Sequence, residues 1–282
     1  MQTVKDLIKH GGQLLQNSGI NTYQIDAEVL LAHTLNTDRY WLIMHPDLPV
    51  TSTVENTYKT LLHRRSKKEP VAYILGCKEF WGLDFMVNPH VLIPRPDSET
   101  IVELALKHVK EQKSKLKILD LGTGSGCLMI ALLNELPNST GLAIDKSPLA
   151  LEVALTNARQ NNVQSRCNFL VSDWFSAIDS QKFDLIVTNP PYIEAARTLD
   201  ADVADYEPPS ALYAGIDGLD AYRQIAKSAY QYLQTDALII VEIGINQTHA
   251  VIEIFKQKHF ALVEIAKDLA GIERALAFRL PS

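Results

Sequence analysis

The sequence predicts an α/β protein: a doubly wound, mostly parallel sheet of seven strands, preceded by a helical bundle and a β-hairpin linker. Three observations predict it. Apolar residues recur at helical spacing through roughly the first 70 positions. A short stretch then alternates apolar and polar residues. From about Asp97 onward, apolar β-runs alternate with amphipathic helices, the pattern of a sheet covered on both faces.

In the first region, 1–75, Val4, Leu7, Ile8, Leu14 and Leu15 mark one helix. Ile25, Val29, Leu30 and Leu31 mark a second, with Asn21 or Thr22 as its cap. "STVENTYKTLLHRRSKK" makes another and ends in a basic cluster, Arg64, Arg65, Lys67 and Lys68. That cluster suits a solvated helix C-terminus, where cations complement the dipole; the alternative is a docking patch for an acidic or RNA-associated partner. Glu69–Pro70 closes the region. "FWGLDFMVNPHVLIPRP" reads as a hairpin around Asn88–Pro89 and as the linker, 76–96. In the third region, 97–282, the strands are "LKILDLG", "GLAID", "CNFLVSD", "FDLIVTN", "ALIIVEIG", "FALVEIAKD" and "RALAFRL". Helices follow the first, second, fourth and fifth of these strands, one of them opening with Pro148. The last two strands have no helix between them, so they are expected to pair antiparallel.

Composition narrows the functional classes. At 46% hydrophobic and 21% charged, the chain fits a globular protein with a substantial core. The N-terminus does not read as a signal peptide, and no apolar run approaches the roughly 20 residues that span a bilayer. The longest, "ALIIVEIGI", is interrupted by Glu242. Cys77, Cys127 and Cys167 are widely spaced and suggest neither disulfides nor a zinc site, so a reducing cytoplasm and no metal are expected. Through Arg95 there are ten Lys/Arg against nine Asp/Glu; after it, seventeen against twenty-four. An acidic second half argues against stable nucleic-acid binding, where phosphate neutralisation dominates affinity.

The first strand of the sheet ends in "DLGTGSGCL". Gly122, Gly124 and Gly126 permit a sharp turn and close approach of a ligand. Thr123 and Ser125 lie between them, at the strand edge where open α/β sheets bind ligands. Asp145 ends the next strand, at the distance expected of a carboxylate that holds a ribose. Dinucleotide enzymes share this layout, but Asp120 beside the loop would oppose a pyrophosphate. It suits a ligand bearing an ammonium and a sulfonium, as S-adenosyl-L-methionine does. Asp173 and Trp174 follow the third strand, a carboxylate for the adenine amine and an indole for its flank; core filling is the other reading of the indole.

The fourth strand should lie beside the first, which brings "NPPY", Asn189 to Tyr192, to the reaction centre. Pro190 and Pro191 have no N–H to continue a ladder. The sequence here resembles class I S-adenosylmethionine methyltransferases that carry N-P-P-Y, whose targets are nitrogens on flat conjugated groups. Such a nitrogen needs acceptors on its hydrogens. The Asn189 side-chain oxygen and the Pro190 carbonyl can supply them, with Tyr192 stacked on the flat group and Asn189 also close to the cofactor. N-P-P-Y alone leaves two substrates open, a side-chain amide or the exocyclic amine of adenine in DNA or RNA.

The resemblance extends over nearly the whole chain to the release factor glutamine methyltransferase family. It is carried by "EPVAYILGCKEFWGLDFMV", "VLIPRPDSE", "DLGTGSGC", "AIDKS", "TNPPYI", "YEPPSAL", "GIDGLDAYR" and "EIGINQ". Small departures are Ala214–Gly215, where the family often has two glycines, and Leu269, where it often has tyrosine. The resemblance implies a Rossmann-like class I methyltransferase domain and S-adenosyl-L-homocysteine as the spent cofactor. It also implies a substrate, the glutamine of the Gly-Gly-Gln loop in class I peptide-chain release factors. A monomeric, cytoplasmic enzyme without membrane attachment is expected, its N-terminal domain docking the factor. The chain's own "GGQ", Gly11 to Gln13, falls in an expected helix and reads as coincidence.

Overall fold

The computed structural model describes residues 2–109 and 115–281. Contacts group the chain into two compact units. One holds the residues through Gly76 together with Leu199–Tyr206; the other holds Cys77–Thr198 and Glu207 onward.

The first unit is built on helices α1 (Val4–Asn17), α2 (Tyr23–Thr34), α3 (Arg39–Met44), α4 (Ser52–Ser66) and α5 (Val71–Leu75). Thr3 caps α1 through a reciprocal box with Asp6. Leu7, Leu15, Leu30, Leu31, Tyr58 and Leu62 form its core. Gly11 and Gly12 lie inside α1, and a Cβ on Gly11 would fall 2.1 Å from the Tyr58 hydroxyl oxygen. The two glycines of the GGQ tripeptide are therefore helix-packing residues, while Gln13 is exposed on the same helix. The basic cluster is not a solvated helix end. Arg65 is 5% exposed and bonds Asp26 at 2.7 Å and Asp202 at 3.1 Å. Arg64 pairs with Glu69, and Lys68 donates to the Gly19 carbonyl. Burial of a guanidinium requires such partners, and they bring Asp202, on α9 (Ala201–Ala204), into this unit.

In the second unit, strands β1 (Cys77–Phe80) and β2 (Leu83–Met86) form a hairpin. Its turn is Trp81–Gly82 and not Asn88–Pro89. Both turn residues have positive φ, 54° and 70°, as two-residue hairpins with the right twist demand. Glu99 accepts the Trp81 N–H at 2.8 Å and secures a tryptophan in that region. The chain after Met86 leaves the hairpin for the wall of the site.

The large sheet comprises β3 (Lys117–Leu121), β4 (Thr140–Asp145), β5 (Cys167–Val171), β6 (Phe183–Thr188), β7 (Leu233–Glu242), β8 (Ala261–Lys267) and β9 (Glu273–Arg279). Their order is β5-β4-β3-β6-β7-β9-β8, parallel except around β9, which is antiparallel to both neighbours. Residues alternate between two cores. Ile118, Leu185, Val187, Leu238 and Ile240 join the core with α6 (Glu99–Val109) and α7 (Cys127–Glu135). Leu119, Leu121, Ile186, Ile239 and Val241 join the core with α10 (Asp220–Ser228) and α11 (Thr248–Lys256). α8 (Pro148–Gln160) follows β4, N-capped by Ser147. No helix among the described residues is long and apolar enough to cross a membrane.

Candidate active site

β3 and β6 are neighbours, and both chains leave the sheet at the same level. Leu121 pairs with Thr188, whose hydroxyl donates to the Leu121 carbonyl at 2.7 Å. A cavity opens at these strand ends, the position open α/β sheets offer to ligands.

One side of the cavity is backbone. Gly122, Gly124 and Gly126 have φ of 71°, 55° and 83°. A Cβ on Gly122 or Gly124 would meet nothing within 4 Å, whereas one on Gly126 would press on Ile130 and Ala154. The loop is tied down at two places. Thr123 donates its N–H to the Ile144 carbonyl at 2.8 Å and its hydroxyl to Asp120 at 2.6 Å. The Asp145 carboxylate accepts the N–H of Gly124 at 3.0 Å and of Ser147 at 2.9 Å. Asp145, Thr123, Ser125, Asp173 and Trp174 all line the cavity. Trp174 sits at φ 49°, an uncommon conformation for a bulky residue. The Ser172 hydroxyl braces it by donating to the Trp174 carbonyl at 2.7 Å. Its ring also packs on the second core, as the core-filling reading of the indole expects.

Asp120 and Gly126 do not line the cavity. Asp120 is fully buried under the loop, with Oδ2 held by Thr123 and Oδ1 unpartnered among the described residues. Burial pushes its carboxyl up to about 7, against the pull of the Thr123 hydroxyl. Burial likewise drives the Cys127 and Cys167 thiols up to about 12, which leaves them protonated and inert.

The other side is made of side chains. Asn189 and Pro191 line the cavity; Pro190 and Tyr192 do not. The Pro190 carbonyl accepts no hydrogen bond among the described residues. Asn189 donates from Nδ2 to the Ser98 hydroxyl at 3.0 Å, leaving Oδ1 without a partner among the described residues. Tyr192 packs on the second core and directs its hydroxyl to Glu242 at 3.5 Å. Burial and the Glu242 charge push that phenol well above its ordinary value, so it remains a donor. Gln247 locks the turn from behind: its Oε1 accepts the Gly244 N–H and its Nε2 donates to the Tyr192 carbonyl, each at 3.0 Å. Gly218 is obligatory, since a Cβ there would lie 2.4 Å from the same carbonyl.

Several supporting residues escape sequence reading. The stretch Pro89 to Arg95, expected in the hairpin, supplies much of the cavity wall. Glu207, buried, holds it by accepting the Ile93 N–H at 3.2 Å and pairing with Arg95. Asn157 on α8 bonds the Met86 backbone through both ends of its amide and the Ser125 carbonyl through Nδ2. Glu242 carried a signal, a lone carboxylate inside an apolar strand. No group of three or more metal-binding side chains occurs among the described residues.

Comparison with known proteins agrees with this architecture. Family models for the PrmC N-terminal domain and the methyltransferase small domain match residues 6–76 and 97–205. The release factor glutamine methyltransferase of Geobacter sulfurreducens is 38% identical, covering 99% of this chain and 97% of that one. A bifunctional methyltransferase of Rickettsia typhi is 38% identical over 97% of this chain but 57% of its own, so the chain spans little more than half of such relatives. A ribosomal protein L11 methylase from Lactobacillus delbrueckii subsp. bulgaricus superposes with a TM-score of 0.52 at 20% identity. The match covers 69% of this chain and 83% of that one and is a likeness of fold alone. Sustained identity with relatives of matching length, together with a glycine loop and an Asn-Pro-Pro-Tyr turn at adjacent strand ends, places the chain in the release factor glutamine methyltransferase family.

Proposed function

We propose that this protein methylates the side-chain amide nitrogen of the glutamine in the Gly-Gly-Gln motif of class I peptide-chain release factors, using S-adenosyl-L-methionine. The observation that carries the chemistry is the Asn189 amide at the cavity wall, anchored through Nδ2 to Ser98 with Oδ1 unpartnered among the described residues. An amide nitrogen is a weak nucleophile because its lone pair is delocalised. Acceptors on its two hydrogens hold it in line and return electron density to it. Asn189 Oδ1 is one acceptor and the Pro190 carbonyl the other, freed because the strand stops pairing. Tyr192 supports the turn from behind. Pro191 shapes the wall against which the glutamine side chain lies.

The residues present fit the cofactor. The positive-φ glycines make a cradle whose missing Cβ atoms face open space. Asp145 offers its remaining lone pairs to a ribose, and Asp173 and Trp174 the amine and face of an adenine. Asp120, with one oxygen unpartnered, compensates a cationic tail from beneath Gly122 to Gly126. The bound cofactor supplies an electrophilic methyl group on a sulfonium. The chain's part is positioning, which in well-oriented systems is worth roughly 7–11 kcal/mol. No strong base is required, because the nitrogen's proton becomes acidic only after the new C–N bond has formed.

The N-terminal unit docks the body of the factor, since one glutamine side chain carries little specificity. Its exposed Tyr40, Ile43 and Met44 are the natural contact. Replacing all three with serine should lower methylation of whole factor at least tenfold while sparing a short Gly-Gly-Gln peptide; equal rates on the factor would remove this surface from docking. A monomer without stable nucleic-acid binding suffices, acting in the cytoplasm where release factors work. The decisive experiment is transfer of labelled methyl from S-adenosyl-L-methionine to purified release factor. Label should enter the factor, but not its Gln→Ala loop variant or duplex DNA. Label in the DNA, or in the loop variant as much as in the parent, would overturn the proposal.

A further inference from the structure

S-adenosyl-L-methionine ends in a zwitterion, an ammonium and a carboxylate on one amino-acid tail. The acids placed about the cofactor, Asp120, Asp145 and Asp173, suit its cationic and hydrogen-donating groups. Its carboxylate has no partner among them. In a cavity walled by acids, that group needs a cation beside it.

Two side chains of fixed positive charge line the cavity, Arg95 and Lys146. Lys146 directly follows Asp145 and stands at the ribose end. Arg95 stands at the other end. Its carbonyl accepts the Ser98 N–H at 3.1 Å, and the Ser98 hydroxyl accepts from Asn189 at 3.0 Å. The Arg95 charge is also felt at the Tyr192 phenol. The guanidinium is thus the cation near the Asn-Pro-Pro-Tyr turn, where the methyl-bearing end of the cofactor has to lie for transfer.

Arg95 has donors to spare. Its partner Glu207 has a side chain 1% exposed, accepts the Ile93 N–H on Oε2 at 3.2 Å and accepts Arg95 Nη2 on Oε1. That pairing alone would make Arg95 a counter-ion for a buried acid. But it engages only one of the three guanidinium nitrogens. Nε and Nη1 have no partner among the described residues, on a side chain that is 36% exposed and belongs to the cavity wall. A guanidinium presents five N–H donors in a planar fork that matches a carboxylate. With Nη2 tied to a buried acid, the fork is held in place before a ligand arrives. We infer that Arg95, braced by Glu207, is the subsite for the cofactor's carboxylate. The amino-acid tail is then gripped at both charges, its ammonium above Asp120 and its carboxylate on Arg95. The inference rests on the cofactor reading above.

The test is calorimetric and needs no methyl acceptor. The full chain is titrated with S-adenosyl-L-methionine and with its decarboxylated analogue, which lacks only the carboxylate. Wild type should bind the first about tenfold to a hundredfold more tightly, the range for hydrogen bonds to a charged group. Arg95→Gln should erase that preference by weakening S-adenosyl-L-methionine alone and leaving the analogue unaffected. Because that variant leaves Glu207 buried and unpaired, the double variant Arg95→Gln/Glu207→Gln repeats the measurement with both charges removed, and it should lose the same preference. A purely structural role would lower both affinities together, so equal loss for the two ligands overturns the inference. Variants that keep the wild-type preference overturn it too; if they also show a raised KM for release factor, Arg95 belongs to the substrate. A wild type that binds neither ligand overturns the cofactor reading and the inference together. A wild type that shows the preference but methylates no release factor leaves the inference standing and overturns the substrate reading alone.

Discussion

The two sides of the site solve the same problem in opposite ways. The loop Asp120 to Gly126 and the turn Asn189 to Tyr192 leave adjacent strands joined by the Thr188–Leu121 bond. The loop is made of backbone: left-handed glycines, two N–H tethers and a carboxylate from the next strand. Its supports lie within about one βαβ unit of it. The turn is made of side chains and carbonyls, and its supports come from far along the chain. Ser98 is 91 residues before Asn189, and Gln247 is 55 residues after Tyr192. A backbone site recognises a ligand by close approach. A side-chain site aims single atoms, and its aim depends on partners that local sequence does not reveal. Damage to the loop should therefore appear in binding, and damage to the turn in turnover.

The largest effect should follow Asn189→Ala. Removing the aimed acceptor should cost about 10²–10³ in kcat, with cofactor affinity by calorimetry largely preserved. Parallel losses in binding and turnover would break the division between the two sides. Next comes Asp145→Ala, which removes the proposed ribose acceptor together with the tethers on Gly124 and Ser147. Cofactor affinity should fall by about tenfold to a hundredfold, since charge-assisted hydrogen bonds contribute about 1.5–3 kcal/mol each. Unchanged affinity would take Asp145 out of the cofactor site.

The same division explains what the sequence revealed. The seven strands, their parallel pairing and the antiparallel end were legible because period-2 apolar runs and helical runs are local signals. So were the glycine loop and Asp145, which lie on one strand–helix–strand stretch. The hairpin turn was misplaced because Asn88–Pro89 has turn composition, while Trp81 adopts positive φ only with Glu99 accepting its N–H, an arrangement fixed by tertiary contact. Arg65 read as a solvated charge because its partners Asp26 and Asp202 are 39 and 137 residues distant. Tyr192 was expected to stack on the substrate's flat group; its ring packs on the second core and its hydroxyl turns to Glu242, because a buried phenol seeks an acceptor.

Two glycine substitutions sharpen the contrast within the loop itself. Gly126→Ala forces a Cβ at φ 83° to within 3.0 Å of the Ile130 Cδ1 atom. It should cost about 1–2 kcal/mol from the left-handed backbone alone, and more from the contact, read by denaturant unfolding. Gly124→Ala has the same kind of backbone strain and no steric neighbour within 4 Å. Its unfolding loss should be the smaller of the two, while its cofactor affinity falls at least as far. A Gly124→Ala protein that binds as tightly as wild type would show that the cradle does not face the ligand.

The smallest effect concerns stability and pH, and it compares a buried carboxyl of raised pKa under each side. Burial raises Asp120 from 3.8 and Glu242 from 4.5, each to about 7. A carboxyl whose native pKa is raised binds its proton more tightly folded than unfolded. Its contribution is fully present below the unfolded pKa and is lost as pH climbs to the native one. The ligand-free protein should thus lose up to about 1 kcal/mol per pH unit for each group between roughly pH 4.5 and 7, and no more from these groups above that. Asp120→Asn and Glu242→Gln each remove one titration while keeping an oxygen to accept from Thr123 or Tyr192. Relative to wild type, each variant should gain a few degrees in Tm on going from about pH 5 to about pH 8. Saturating cofactor should shrink that gain for Asp120→Asn, because a cationic tail above Asp120 favours its ionised form in the wild type. It should leave the gain for Glu242→Gln in place. Equal shrinkage for both variants would mean that the two carboxyls answer to one ligand and that the two sides of the site are not separate devices.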